Sequence, residues 1–431
     1  MKRGAGLTRR RFVRDVAGGA AAAAWPYVIS SRALGNAEKA PANSRIVMGF
    51  IGVGGMGNHH LGNLLGERRV QITAVCDVDQ NHRDGTAARV GPDCKPYKDF
   101  RELLERPDID AVLIATPDHW HALIAIAACK AGKDIYCEKP MTLTVAEGRA
   151  MVNAVRRYGR IFQTGSQQRS GREFWQACML ARNGYLGRIH TVYSGLPAGP
   201  AGGWADCVEP PPTLDWDFWL GPAPWVPYTP PRCHGTFRWF YDYSGGTMTD
   251  WGAHHNDIAQ WGLGTDLSGP IHIDGRGEFP TDGLFETAIN FHVVYTYAAG
   301  IKLICSSKDH GTKFVGTEGW VHVDRGFIQA DPPSLLKEEF KQVEVRLNDS
   351  FLKHPDNWMA HKLNFLDCVE SRRRPVADVE IGHRTITMSH LGVISMRLGR
   401  PLRWDPDREQ IIGDEEAGRW LNRPMRAPWR L

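Results

Sequence analysis

A glycine-rich turn near the start of the chain is the feature that most constrains its fold. Six consecutive residues form the pattern G-x-G-x-x-G: Gly52, Val53, Gly54, Gly55, Met56 and Gly57. The pattern follows a continuous apolar run over residues 46–51 and leads into a helical pattern over residues 56–65. Glycines at these spacings allow a tight turn, a close approach of a ligand to the backbone, and close packing of helix against strand. The turn therefore predicts a βαβ unit that binds a dinucleotide.

The chemistry around this turn favours NAD over NADP. Asp77 ends the second apolar run, 20 positions after Gly57. A helix N-terminus attracts the pyrophosphate, and a carboxylate at the end of the second strand accepts hydrogen bonds from the ribose hydroxyls. The same carboxylate repels a 2′-phosphate, which predicts NAD as the cofactor, although the nearby Arg83 keeps NADP as an alternative.

Strands and helices alternate as far as residue 165. Apolar runs at residues 70–76, 111–115, 134–137 and 161–164 are separated by helical patterns, including residues 119–131 and 144–158. Continuous apolar strands between helices are typical of a parallel sheet covered on both faces. We predict an α/β fold whose Rossmann domain spans residues 45–165.

Strands follow strands in much of the remaining chain. The predicted strands occupy residues 271–277, 285–297, 301–307 and 319–323, and helices are predicted at 358–371 and 383–398. Such an order indicates an α+β domain with a mixed or antiparallel open sheet. We assign residues 166–431 to this domain, as a substrate-binding and oligomerisation domain whose tail could pack back on the Rossmann domain.

Several polar residues follow the central strands of the Rossmann domain. Glu138 and Lys139 end the strand at residues 134–137, and Pro140 holds Lys139 in an extended conformation. The carboxyl ends of parallel strands form the ligand-binding edge of such a sheet. We therefore predict that Lys139 is a catalytic residue. The residues predicted to line the cofactor at this edge are Thr116, Pro117, His121 and Glu138.

A second group of polar residues lies between residues 245 and 257. Asp250 and His254 are four positions apart, so a helix places both side chains on one face. A carboxylate beside an imidazole can orient the ring and support a general base. The spacing alone leaves two alternatives open, which are metal ligation by Asp250, His254 and Asp257 and an exposed helix start with a capping aspartate.

Taken together and in order, the glycine turn, Glu138-Lys139-Pro140 and Asp250-x-x-x-His254-x-x-Asp257 resemble the Gfo/Idh/MocA family of sugar oxidoreductases. The resemblance covers nearly the whole chain after the N-terminal segment. It implies that Lys139, Asp250 and His254 are catalytic, that no metal ion takes part, and that the open sheet forms homo-oligomer contacts. It also implies a set of substrate-binding residues, to which we add His255 as a neighbour of His254: Gln167, Arg169, His255 and Asp257.

The first 44 residues are predicted to be a targeting segment. Residues 8–14 read Thr-Arg-Arg-Arg-Phe-Val-Arg, similar to a twin-arginine export signal, and a short run of mainly Ala and Gly follows. This run is too short and too weakly apolar for stable membrane insertion. The formal charge of +4 lies partly in this segment, and no basic stripe favours nucleic acid as a partner. We expect the protein to be periplasmic or secreted, exported already folded.

Export constrains the predicted chemistry. Outside the cytoplasm a dissociable NAD would not be replenished, so we expect the cofactor to stay tightly bound and to be recycled internally. The predicted activity is oxidation of a secondary hydroxyl of a sugar, polyol or glycoside. The alternatives are a redox-neutral glycosidase acting by oxidation and elimination, and a nucleotide-binding sensor without catalysis.

Two further features of the sequence are an aromatic loop and the cysteines. Four tryptophans in the loop between residues 197 and 235 could form a saccharide subsite or a small satellite core: Trp204, Trp216, Trp219 and Trp225. The chain has nine cysteines and no C-x-x-C motif, which favours reduced core residues. Cys207 and Cys233 are the one pair for which a disulfide is considered.

Overall fold

Six short strands form a parallel sheet in the first part of the molecule. The computed structural model describes Pro41 and residues 44–431, so the predicted twin-arginine segment lies outside the described residues. Within them, the strands are β1 (Ile46–Ile51), β2 (Val70–Cys76), β3 (Lys95–Tyr97), β4 (Ala111–Ile114), β5 (Asp134–Cys137) and β6 (Phe162–Thr164). Their order in the sheet is β3-β2-β1-β4-β5-β6, the arrangement of a Rossmann fold.

Helices cover both faces of this sheet. They are α1 (Gly55–Leu64), α2 (Gln80–Val90), α3 (Phe100–Leu104), α4 (Asp118–Lys130) and α5 (Val145–Tyr158). Successive side chains of β4 point to opposite faces, so Val112 joins the apolar cluster on one face and Leu113 joins that on the other. Burial on both faces explains why these strands are continuously apolar in sequence.

A larger sheet occupies the second part of the chain. Its strands are β7 (Ile189–Gly195), β8 (His272–Glu278), β9 (Asn290–Thr296), β10 (Lys302–Ser306), β11 (Gly311–Gly316), β12 (Trp320–Asp324), β13 (Phe327–Asp331), β14 (Leu402–Asp405) and β15 (Gln410–Ile411). They are ordered β13-β12-β11-β7-β10-β9-β8-β14-β15, and β7 pairs with β10 in parallel while the other neighbours are antiparallel. The prediction of a mixed, largely antiparallel sheet is confirmed.

One face of the second sheet is covered by helices. The remaining helices are α6 (Arg172–Arg182), α7 (Trp216–Leu220), α8 (Thr247–Asp250), α9 (Gly252–Leu263), α10 (Asn357–Ser371), α11 (Val379–Leu398) and α12 (Glu415–Arg419). Phe291, Val293 and Tyr295 of β9 face the helices and are buried, whereas Asn290 and His292 are exposed. In the described residues no helix combines the length and apolar character needed to span a membrane.

Two later chain segments lie against the first sheet. Phe365 and Leu366 of α10 pack in the same cluster as Met48 and Phe50 of β1, so the tail contributes to the core of the first sheet. Residues 213–239, which we call the strap, contain α7 and run beside the carboxyl edge of the first sheet.

The strap has a satellite core of its own. Trp216 and Trp219 stack at a centroid distance of 4.9 Å and are buried with Phe240 and Tyr243. Of the two alternatives for the aromatic loop, a saccharide subsite or a satellite core, these two tryptophans belong to a satellite core. The other two tryptophans of the aromatic loop, Trp204 and Trp225, are 71% and 60% exposed. The considered disulfide is not formed, since Cys207 is exposed, Cys233 is buried and both are free.

Candidate active site

A cavity of about 340 Å³ opens at the carboxyl edge of the first sheet. Ile51, Cys76 and Ala115 line it at the ends of β1, β2 and β4, and Glu138 lines it after β5. The chain leaves β1 and β4 towards opposite faces of the sheet, and the crevice between such strands is where ligands bind in open α/β sheets. The volume is in the range of small-molecule sites.

The glycine turn forms one wall of the cavity. Gly52 has a φ of +81°, and a Cβ there would lie 2.7 Å from the carbonyl carbon of Ala115. A Cβ on Gly57 would lie 2.0 Å from the carbonyl oxygen of Gly52. Gly54 and Gly55 line the cavity instead, and no side chain of the described residues caps the N-terminus of α1. Free N–H groups at a helix start suit a pyrophosphate.

Asp77 follows β2 and contacts the glycine turn. Its Oδ2 accepts a hydrogen bond from the Val53 N–H at 2.9 Å, and its Oδ1 accepts one from the Asp79 N–H at 2.9 Å. These bonds hold the carboxylate at the cavity wall, where it can accept hydrogen bonds from ribose hydroxyls. The glycine turn, the open helix start and Asp77 together fit NAD. Thr116 and Pro117 also line the cavity, as predicted.

The corner after β5 brings a buried acid and a lysine to the same cavity. Glu138 is buried, and its Oε1 lies 2.7 Å from Nε2 of His60. Burial alone would raise the pKa of Glu138, but the His60 hydrogen bond and the Lys139 charge outweigh it and lower this pKa. Glu138 is therefore negatively charged, and it lines the cavity next to Lys139.

His121 has a different position from the one predicted. Its Nδ1 lies 2.7 Å from the Pro140 carbonyl oxygen and its Nε2 lies 2.8 Å from the Thr116 carbonyl oxygen. The ring is buried and does not line the cavity. Both ring nitrogens join the loops after β4 and β5, and direct contact of His121 with the cofactor stays a prediction.

Lys139 and Asp250 form an ion pair at the edge of the cavity. Lys139 Nζ lies 2.6 Å from Asp250 Oδ1, and Arg238 Nε donates to the same oxygen at 3.3 Å. Burial alone would raise the pKa of Asp250, but the charges of Lys139 and Arg238 lower it. The pair keeps an ammonium group directed at the cavity.

His254 lies on the next helix and is 4% exposed. Burial, together with the charges of Lys139 and Arg325, lowers the pKa of His254 well below its ordinary value, so the ring is neutral. Its Nδ1 is buried without a hydrogen-bond partner among the described residues. The expectation that Asp250 orients this ring is wrong, because the described residues show no hydrogen bond between the two side chains and the carboxylate serves Lys139 and Arg238.

Two predicted substrate residues bind each other instead. Arg169 Nε and Nη2 lie 2.6 Å and 2.8 Å from the two carboxylate oxygens of Asp257, and both residues are 1% exposed. Asp257 also accepts a hydrogen bond from Thr385, and Arg169 lies 3.3 Å from Asp266. Arg169 and Asp257 thus form a buried ion pair outside the cavity lining, and their contact with a substrate stays a prediction.

Gln167 and His255 are also buried outside the cavity lining. The Oε1 of Gln167 has no hydrogen-bond partner among the described residues. The His255 ring stacks on Trp251 and its Nε2 lies 3.7 Å from Asp324, so it faces β12. The ring packs against Trp251 in this structure, and the substrate contact of His255 stays a prediction.

Two cavity residues were not foreseen from the sequence. Arg238 comes from the strap, in a short 3₁₀ helix (His234–Trp239) whose sequence carries no motif. Asp118 follows the Thr116-Pro117 turn and accepts a hydrogen bond from Ser244 at 2.6 Å, and burial raises the pKa of this carboxyl to about 7. Its place beside Thr116 and Pro117 was the one available signal.

Comparison with known families agrees with this geometry. Residues 46–166 match the family described as "Oxidoreductase family, NAD-binding Rossmann fold", and residues 204–431 match "Oxidoreductase family, C-terminal alpha/beta domain", the two parts of the Gfo/Idh/MocA family. The chain is an oxidoreductase with an NAD-binding domain, and NAD is its cofactor.

Individual relatives are more distant. The myo-inositol 2-dehydrogenase of Thermotoga maritima is 24% identical over 379 residues, covering 85% of this chain and 99% of the relative. A glycosyl hydrolase family 109 protein of Shewanella sp. (strain W3-18-1) is 32% identical over 158 residues, 35% of this chain and 34% of that protein. The aldose-aldose oxidoreductase structure from Caulobacter crescentus superposes with a TM-score of 0.63 at 19% identity, covering 83% of this chain and 99% of that one. The chain belongs to the Gfo/Idh/MocA family of oxidoreductases.

Proposed function

We propose that this oxidoreductase acts on a secondary hydroxyl of a sugar, polyol or glycoside, with an NAD that stays bound and returns to its starting state in each cycle. The observation that carries the proposal is the Lys139–Asp250 ion pair at the edge of the dinucleotide cavity. Supporting context comes from relatives named as an inositol dehydrogenase and an aldose-aldose oxidoreductase.

Lys139 and His254 have different roles at the reacting oxygen of the substrate. Lys139, held by Asp250 at 2.6 Å, donates a hydrogen bond to the reacting oxygen and stabilises its negative charge. His254 is neutral and accepts the hydroxyl proton. Bound NAD supplies the hydride acceptor. Asp250 acts through Lys139, whose ammonium group it holds in position.

The neutral state of His254 predicts a pH profile. A proton acceptor works only while unprotonated, and the pKa of His254 lies below the ordinary value of about 6.5. Activity is therefore constant as pH falls to 6.5 and decreases only below it. We expect kcat/KM against pH to show an acid limb below pH 6.5, and the residual rate of His254→Gln to lack that limb. A limb at or above pH 6.5 would contradict the assignment.

Retention of the cofactor is proposed from the contacts of the strap. Gln80 N–H donates to the Thr213 carbonyl oxygen at 2.8 Å, and Lys98 Nζ lies 2.6 Å from Asp215. Farther along the strap, Trp219 and Phe237 line the same cavity as the glycine turn. A ligand between the turn and the strap is enclosed by two parts of the chain, so its release requires the strap to open.

Retention predicts that the exported protein carries its nucleotide. We expect protein isolated from the periplasmic fraction to contain about one NAD per chain after gel filtration, measured by releasing the nucleotide with acid. Arg9→Lys with Arg10→Lys should keep the protein in the cytoplasm. Periplasmic protein that lacks nucleotide and consumes added NAD stoichiometrically would contradict the closed cycle.

The activity is tested by mass spectrometry of the products from a panel of free sugars, polyols and glycosides, with the absorbance of the bound cofactor recorded in parallel. The proposal expects an oxidised product, or an oxidised and a reduced sugar in equal amounts. Release of the aglycone with no net oxidation would instead establish the glycosidase alternative. Unchanged substrates and absorbance across the panel would favour a nucleotide-binding sensor.

A further inference from the structure

Three metal-binding side chains meet at the rim of the cavity. One ligand atom from each of Asp79, His82 and His234 lies within 4.8 Å of the other two. Asp79 and His82 flank the start of α2, and His234 belongs to the strap. The His82 and His234 rings are 4.8 Å apart, and His234 Nε2 lies 3.6 Å from Asp79 Oδ2. Two separate segments thus present imidazole and carboxylate donors to one point.

The spacing is close to that of a metal site. Zinc bonds of about 2.0–2.2 Å in a tetrahedral site place neighbouring donor atoms roughly 3.3–3.6 Å apart. The observed separation of Asp79 and His234 already has this value, and the ligand atom of His82 lies within 4.8 Å of both. Two imidazoles and one carboxylate bind zinc and similar divalent metals, with the fourth position left for water.

The donor atoms on the side of the proposed site make only long contacts with other side chains. Oδ1 of Asp79 accepts the hydrogen bond of Asn81 N–H that caps α2, which leaves Oδ2 on the side of His234. The Nδ1 of His82 lies 3.8 Å from Asp77 Oδ2, a long ion-pair contact that a bound metal ion would replace. His234 has a φ of +53°, a left-handed conformation that costs free energy for a residue with a side chain. A bound cation would offset that cost.

We propose that Asp79, His82 and His234 bind one divalent transition metal of the zinc class, which clasps the strap to α2. The site itself is independent of the enzyme's substrate. The effect of the site on the enzyme rests on the proposed retention of NAD. A metal ion that joins the strap to α2 slows opening of the strap and therefore slows release of the nucleotide.

The site is tested by titrating zinc chloride into the full-length protein after treatment with a chelator. We expect one zinc per chain by calorimetry and by metal analysis. Loss of an outer partner of a metal site typically costs about 10–100-fold in affinity, so His82→Ala or His234→Ala should each weaken zinc binding by at least about 100-fold. His190→Ala and His272→Ala, which remove exposed histidines on the second sheet, are matched controls with unchanged affinity. Substoichiometric zinc, or equal affinity in all four variants, would overturn the site.

The clasp is tested by the rate of nucleotide release. Protein loaded with NAD is diluted, and dissociation is followed with and without zinc chloride. Zinc should slow release at least several-fold in the unmodified protein and leave the rate of His234→Ala unchanged. Zinc that binds but accelerates release, or leaves the rate unchanged, would overturn the clasp. Neither measurement involves a sugar, so a failure of the proposed activity is recognised separately.

Discussion

Replacing Lys139 by alanine is expected to lower the rate of the chemical step on the order of 10²- to 10⁴-fold, with a smaller effect on substrate binding. Its ammonium group is 2.6 Å from Asp250 and lines the dinucleotide cavity, so the variant loses the donor to the reacting oxygen. Single-turnover kinetics of the bound cofactor separate this step from binding and product release.

Two further variants make the test of Lys139 specific. Lys95→Ala removes an exposed lysine of β3 and should leave the rate unchanged. Asp250→Asn leaves Lys139 in place without its carboxylate partner, so it should reduce the same step by a smaller factor than Lys139→Ala. Near-normal turnover of Lys139→Ala would show that another group stabilises the reacting oxygen.

Replacing Asp257 by alanine is expected to lower the free energy of unfolding by about 3–5 kcal/mol, because it leaves the Arg169 guanidinium buried without its main counter-ion. Both partners are 1% exposed and share two hydrogen bonds. Asp266 remains as a second counter-ion, 3.3 Å from Arg169. We therefore expect a loss of stability near the lower end of this range. Urea denaturation measures the change.

The controls for Asp257 separate a structural role from substrate binding. Asp282→Ala removes an exposed carboxylate and should change stability by no more than about 0.5 kcal/mol. Asp257→Leu with Arg169→Met removes both buried charges and should recover much of the loss. If Asp257→Ala instead raised KM at unchanged stability, the ion pair would not be its main role.

The parts of the site that could be predicted are those specified by local sequence. The glycine turn, Asp77 and Lys139 each follow a strand of the first sheet, and the order of that sheet brings strand ends to one edge. Their chemistry depends on backbone conformation within a few residues: Gly52 needs a positive φ, and Gly57 has no room for a Cβ. Such requirements leave a clear pattern in a single sequence.

The contacts that the sequence did not predict depend on packing between distant segments. Arg169 and Asp257 are typical sugar-binding residue types, but they lie where two helical segments meet and neutralise each other. The four-residue spacing of Asp250 and His254 predicted one continuous helix. The structure instead divides it between α8 and α9, and Lys139 reaches the carboxylate from the other sheet.

The strap shows the same limit. Its aromatic composition was equally consistent with a sugar subsite and a satellite core, and the buried stack of Trp216 and Trp219 supports the core. Arg238 reaches Asp250 only because this core positions the strap beside the cavity. Nothing in the local sequence around Arg238 specifies that contact.

The proposed activity requires that a carbon-bound hydrogen of a sugar passes to an NAD held by this chain. The most direct measurement uses ring-deuterated sugars with the nucleotide-loaded protein and no free cofactor, followed by denaturation and mass analysis of the released nucleotide. We expect deuterium in the reduced nucleotide from the unmodified protein and very little from Lys139→Ala at the same reaction time. Reduced nucleotide without deuterium, or no reduced nucleotide with any sugar that binds, would contradict the account.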